Sequence, residues 1–227
     1  MSVLVWSLLE GARRVRSVRA LLVACVAIAL GPVVAKLSPS SGASAADDAL
    51  RAGVFGIALP LAAYLSAEAV LQGKNLDQAA RRVARYGVSG RLAGLGLVLA
   101  LAAVSIAAAL LGCVAALLSA YPAHGSDFYG DLFRSLPIAA TAGAAYAGWY
   151  ALASCFGARG GGRKWLLGLD WVLGATSGIW AAPWPRGHVR NLLGGSPVLE
   201  LSQAGAFGVL LLGTSLAVLA ALAHSHD

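Results

Sequence analysis

Along this chain the apolar residues come in long blocks, and the charges are bunched between them. The stretch from Leu92 to Ser126 contains no Asp, Glu, Lys or Arg. A helix needs roughly 20 apolar residues to cross the hydrocarbon core of a bilayer. Six blocks meet that need, near residues 20–37, 54–72, 92–118, 136–156, 165–184 and 205–223. The first contains Gly31-Pro32 and the second Pro60, which predicts bends that neighbouring helices must accommodate. The third exceeds what a bilayer requires, so a tilt or a helical extension is expected. The pattern predicts an all-α polytopic membrane protein with six transmembrane helices in a single domain, 1–227.

Composition agrees with the pattern. Hydrophobic residues make up 59% of the 227 and charged residues 12%, against about 25% charged in ordinary soluble domains. The net charge of +7 could point to nucleic acid, but its distribution does not. Arg13, Arg14, Arg16, Arg19, Lys74, Arg81, Arg82, Arg85, Arg91, Arg159, Arg163 and Lys164 fall in one set of alternate segments. Lys36, Arg51, Arg134, Arg186 and Arg190 fall in the other. Cytoplasmic loops carry the excess of Lys and Arg. Both termini are therefore expected in the cytoplasm. The N-terminal basic lead followed by Ala43-Ser44-Ala45 has some features of a cleaved signal, but the distance to Ala45 favours a retained first span. Cys25, Cys113 and Cys155 fall inside proposed spans, with neither zinc nor disulfide spacing. The tail His224-Ser225-His226-Asp227 reads as a polar stop, and no metal site is expected.

One polar insert has a helical rhythm. In "GKNLDQAARRVARYGVSG", Gly73 to Gly90, one arc of a helical wheel holds Leu76, Ala79, Ala80, Val83, Ala84 and Tyr86. Asp77, Gln78, Arg81, Arg82 and Arg85 fall on the other. Asn75 can cap the start, Asp77 pairs with Arg81 at i,i+4, and Gly87 can take the left-handed conformation that ends a helix. A short amphipathic helix over 76–86 is predicted. Its apolar face would rest on the membrane interface or on the ends of the spans. A basic interfacial anchor on anionic lipid accounts for the same pattern.

The surrounding stretch, "ALPLAAYLSAEAVLQGKNLDQAARRVARYGVSGRLAGLGLVLALA", resembles the region between spans two and three in the permease subunits of type-2 exporter-class ABC transporters. In that family a Glu closes the second span, a Gly follows, and a short cytoplasmic helix leads into the third span. Glu68, Gly73, the helix from Leu76 and the turn Gly87-Val88-Ser89 hold those places here. The chain departs from the family in lacking a basic residue beside Glu68, where Ala67 and Ala69 stand, and in having Gly87 where Pro is common. The stretch "NLLGGSPVLELSQAG", Asn191 to Gly205, matches a region that dips into the outer leaflet in the family. Alternatively, Ser196-Pro197 starts a long sixth helix.

The resemblance implies a multi-pass subunit in a bacterial plasma membrane, in contact with membrane lipid and paired with a second permease copy, identical or not. It implies no cofactor on this chain, with ATP and magnesium held by a separate nucleotide-binding ATPase. Leu76, Asp77, Ala80, Arg81, Val83, Ala84 and Arg85 would form the coupling helix that meets the ATPase. The sequence agrees in having no P-loop: "GARGGGRKW", Gly157 to Trp165, has suitable glycines but lacks the Lys-hydroxyl pair. It reads as a flexible basic connection.

Inside the blocks, Asp170 is the one acid placed well within a span, with Gly174 and Ser177 at i+4 and i+7. These and Tyr64, one turn before Glu68, are candidates for lining a passage. The structural alternative pairs Asp170 with Arg163 or Lys164 near the cytoplasmic surface. Ala140, Ala144 and Gly148, and Gly90 with Gly94, form small-residue stripes suited to close helix packing. Tyr121, Phe128, Tyr129, Phe133, Trp180 and Trp184 are expected at the outer interface and Trp165 at the inner one. Two rival functions share this pattern: a rhomboid-like intramembrane protease using Ser177, and a membrane scaffold without transport. The protease needs a His within reach of the Ser, and His124, His188, His224 and His226 all lie at or outside span ends.

Overall fold

A computed structural model describes residues 18–85, 87, 89–121 and 126–224. The basic N-terminal lead, Tyr86, Val88, His124 and the last three residues of the tail lie outside the described residues. The described chain is helical and contains no strand. We label its α-helices α1 (Val18–Leu37), α2 (Ala43–Asp48), α3 (Leu59–Leu71), α4 (Leu76–Ala84), α5 (Gly90–Ala120), α6 (Ser126–Ala153), α7 (Gly162–Val172), α8 (Pro185–Leu192) and α9 (Gln203–Ala223). A π-helix, Ala49–Ala58, joins α2 to α3 without a break.

Among the described residues, three helical stretches are long and apolar enough to cross a membrane: the one beginning at Ala43, α5, and α9. The first is interrupted at Gln72 and Gly73, whose φ values of 53° and 68° end α3, so α4 is a separate helix. At about 1.5 Å per residue, the 31 residues of α5 exceed the roughly 30 Å hydrocarbon core.

The core forms around α5, which packs against α1, α3, α4, the π-helix and α6. Close approach depends on small residues. A Cβ on Gly112 would sit 2.6 Å from the Ala27 carbonyl of α1, and one on Gly143 would sit 2.7 Å from the Ile106 Cα of α5. The stripe on α6 turns to a different neighbour: Gly148 faces Thr214 of α9. The outward side of α9 is apolar, with Leu212, Leu216 and Leu219 all more than half exposed.

Several expected boundaries move. The second block starts its helix at Ala43 instead of residue 54. Asp47 and Arg51 form an i,i+4 ion pair at 3.1 Å, so the charges that looked like a loop sit on a helix face. The fourth block starts ten residues early, at Ser126. The fifth block is not one helix. Helix α7 ends at Val172, and the Asp170 carboxylate accepts the Arg186 backbone N–H at 3.2 Å, holding the returning chain against the helix end. Ser196-Pro197 does not start a long sixth helix either. The chain stays non-helical from Gly195 to Ser202, and the Ser202 side chain caps α9 by accepting from Gly205 N–H.

Candidate functional site

The amphipathic insert is a helix whose ends obey their local chemistry. Asn75 is extended, and its side chain accepts the Gln78 N–H at 2.8 Å. Arg81 Nε donates to both carboxylate oxygens of Asp77, at 3.0 and 2.9 Å. Gly87, at φ 84°, returns its N–H to the Ala84 carbonyl. Helical geometry stops at Ala84, two residues short of the expected end.

The apolar arc of α4 does not face lipid. Leu76, Ala79, Ala80 and Val83 are buried in one cluster with Val70 and Leu71 of α3, Leu97 and Val98 of α5, Ala151 of α6 and Ala221 of α9. The membrane-interface alternative for that face is thereby overturned, because the ends of four helices already cover it. Leu76, Ala80 and Val83 are turned inward and Ala84 is half-buried, so they seat the helix and do not present it. Gln78, Arg81, Arg82 and Arg85 form the exposed face, with Asp77 at its edge.

Beneath α4 lies a polar junction. Glu68, at the end of α3, receives Arg163 Nε on Oε1 at 2.9 Å. The guanidinium also donates to the Lys74 carbonyl at 2.8 Å, to Ser154 Oγ at 3.1 Å and to the Arg159 carbonyl at 3.3 Å. Ser154 Oγ donates onward to the Tyr150 carbonyl, and the Ser154 carbonyl accepts the Leu76 N–H that opens α4. One arginine, only 1% exposed, therefore joins the ends of α3 and α6, the start of α7 and the lead into α4. The basic partner missing beside Glu68 in sequence comes from 95 positions away.

This junction also corrects the reading of Gly157–Trp165 as a flexible connection. Gly157, Arg159 and Gly160 all have positive φ and form a tight turn around the arginine. A Cβ on Gly160 would stand 2.5 Å from Arg163 Nη1. Within the stretch that resembles a phosphate cradle, Gly160 makes room for a side chain of its own protein.

Asp170 is fully buried, but neither Arg163 nor Lys164 is its partner. Tyr146 Oη donates to Asp170 Oδ2 at 2.8 Å, and Arg186 bonds to the Trp171 carbonyl beside it at 3.1 Å. Tyr146 stacks near Tyr150, which in turn meets Tyr64 edge-on at 6.1 Å. Tyr64 and Asp170 thus border one packed aromatic cluster between α3, α6 and α7. Gly174 is buried beside Arg186, whereas Ser177 is exposed on the following turn, so the expected shared face is not formed. Of the described histidines, His188 donates from Nε2 to the Ala182 carbonyl at 2.7 Å. Among the described residues, no group of His, Cys, Asp or Glu could hold a metal ion.

The aromatic residues divide. Tyr121 and Phe128 are buried against each other, and Tyr121 donates to Asp131. Burial, then that carboxylate, raises the Tyr121 pKa above its ordinary value. Phe133, Trp165 and Trp180 are exposed, and Trp184 packs near Trp149. Sequence reasoning missed Arg163 and Ser154 as junction residues. Their only local signals were the glycine-rich turn and a lone Ser at the end of an apolar block. No protein family, no curated protein and no solved structure matches this chain.

Proposed function

We propose that the chain is the membrane-spanning permease subunit of an ATP-driven transporter of the type-2 exporter class, working as an exporter. In this proposal it crosses a bacterial plasma membrane six times with both termini in the cytoplasm. It pairs with a second permease copy, and a separate ATPase binds ATP and magnesium.

The observation that carries the proposal is the seating of α4. Its apolar arc is buried by its own chain, and its basic face is exposed. Its leading end is tied through Lys74 and Ser154 to the Arg163–Glu68 pair. A lipid anchor would leave the apolar arc open to the bilayer. A lever needs the opposite: a rigid mount on several helices and a polar face directed at a partner. Force applied to Arg81, Arg82 or Arg85 would pass to α3, α6 and α7 through contacts that have little room to yield.

The test is co-purification in mild detergent from the native host. The wild-type protein should retain a P-loop ATPase at a fixed ratio. Val83→Asp, which places a carboxylate in the apolar seat, should insert normally and lose that ATPase. Equal recovery of the ATPase with both proteins would remove α4 from the coupling role.

A further inference from the structure

We infer that the cleft between the π-helix and α8 is a binding site for a phosphate-type oxyanion. Arg51, Arg186 and Arg190 line one cavity of about 330 Å³, together with Phe55, Gly195 and Ser196. Arg51 lies 17 residues before Glu68 on one helical run, so it stands several turns away from the junction below α4.

The three arginines are held mainly by neutral groups. Arg51 Nη2 donates to the Leu193 carbonyl at 2.7 Å, and Arg186 Nη1 to the Trp171 carbonyl at 3.1 Å. Arg190 donates to the carbonyls of Ala175 and Thr176. Carbonyl bonds fix the forks in place without cancelling their charge. Two carboxylates stand nearby. Asp47 pairs with Arg51 from an exposed position, and Asp170 accepts the Arg186 backbone N–H and the Tyr146 hydroxyl. Three guanidiniums against two carboxylates leave the cleft at +1.

Two further features point to a ligand. Among the described residues, Arg51 Nε and Arg190 Nε are buried and have no hydrogen-bond partner. A buried donor without a partner is costly, and a guanidinium edge matches the spacing of two phosphate oxygens. Arg186 and Arg190 also stand one turn apart on α8, where like charges repel. Burial, reinforced by Arg186, lowers the Arg190 pKa below its ordinary value. An arrangement that works against folding in this way is expected where a bound anion relieves it. The wall that carries Arg51 is a ten-residue π-helix, a rare form whose single-turn bulges are frequent at functional sites.

Glycines shape the cleft around the arginines. The Cβ position of Gly56 lies 3.6 Å from Arg186 Nη2, and that of Gly194 lies 3.6 Å from Arg51 Nη2. A Cβ on Gly195 would stand 2.7 Å from Arg190 Cγ. The cavity is at the small end of the range for ligand sites, about 300–1,000 Å³. It suits a phosphate or the head of a phospholipid, not a nucleotide with its base enclosed. The site is independent of the transporter proposal, since none of its residues touches α4.

The experiment measures thermal unfolding of the full chain in nanodiscs, with radiolabelled phosphate binding as a direct readout. Inorganic phosphate is compared with chloride at matched ionic strength in phosphatidylcholine discs. Phosphatidylglycerol discs provide the lipid arm. Phosphate binding and protection in phosphatidylcholine identify a soluble ligand, whereas protection only by phosphatidylglycerol identifies a headgroup. In either case Arg190→Gln and Arg51→Gln should weaken the effect at least tenfold, and Arg85→Gln, on α4, should leave it unchanged. The site is overturned if neither anion acts on the wild-type protein beyond chloride. It is equally overturned if Arg85→Gln weakens the effect as much as Arg190→Gln does. The wild-type comparison decides even if a cleft variant fails to fold.

Discussion

Arg163 Nε lies 2.9 Å from Glu68 Oε1, although 95 positions separate the two residues. Arg163 is almost wholly buried, whereas the Glu68 side chain keeps 20% of its surface exposed. The two partners therefore differ in what their loss should cost. Removing the arginine strips four acceptors of a donor, while neutralising the acid leaves the guanidinium its carbonyl bonds. A hydrogen bond to a charged group is worth about 1.5–3 kcal/mol, and Arg163→Ala loses several of them where Glu68→Gln weakens one. Arg163→Ala should lower the unfolding temperature in detergent clearly more than Glu68→Gln. Arg163→Lys should resemble Arg163→Ala, because an ammonium cannot reproduce the planar fork. Thermal unfolding followed by size-exclusion elution checks all three. Full stability in Arg163→Lys would show that only the charge matters.

The turn around that arginine gives a sharper contrast between adjacent glycines. Gly160 has φ 71° and no space for a methyl group, whereas Gly161 has φ −58° and an ordinary 3.5 Å neighbour. Gly160→Ala must strain the backbone and displace Arg163, at a cost of about 1–3 kcal/mol for the backbone alone. Gly161→Ala should be neutral or slightly stabilising, by up to about 1 kcal/mol. Paired unfolding curves measure the difference, and equal effects would mean that the turn does not hold the arginine.

How much of this was legible in the sequence depends on the range of each interaction. The cap at Asn75, the Asp77–Arg81 pair and the Gly87 terminator were readable because each spans four residues or fewer. The apolar blocks located most of the helices for the same reason: periodicity is local. The Glu68–Arg163 pair was not readable, since nothing in the residues near either partner names the other. The fifth block failed on a related point. Its hydropathy resembles a span, but the Asp170 contact with the Arg186 backbone lies across a chain reversal that composition does not encode. The two faces of α4 were visible on a helical wheel, whereas what would cover the apolar face was not.

Seating and presentation on α4 can be separated by protease. Val83 is 1% exposed, and a carboxylate in its place must leave the cluster or remain uncompensated there. Undocking frees the backbone around Arg81, Arg82 and Arg85, so trypsin should cut Val83→Asp in this segment at least tenfold faster than wild type. Arg81→Ala should behave otherwise. Its ion pair with Asp77 is an exposed i,i+4 pair, worth about 0.3–0.5 kcal/mol, so the helix should stay docked. Mass spectrometry of early fragments locates the cuts. Wild-type protection in Val83→Asp would mean that the apolar seat is not what holds α4.

The orientation expected in the membrane rests on charge and geometry together. Twelve Lys and Arg fall in one set of alternate segments and five in the other, and the richer side is expected in the cytoplasm. Helix α4 carries part of the richer set, and Ser44 lies at the far end of the helical run that leads to it. Both Ser44 and Gln78 are exposed, so a cysteine at either can react without unfolding. In a background with Cys25, Cys113 and Cys155 replaced, Ser44→Cys should label with an impermeant thiol reagent in whole cells. Gln78→Cys should label only after the membrane is opened. The contrast tests more than the sign of one loop. If the run from Ala43 to Leu71 lay along the membrane instead of crossing it, both positions would react alike. If the chain were inverted, Gln78→Cys alone would react in whole cells, and the exposed arginines of α4 would face away from any cytoplasmic ATPase.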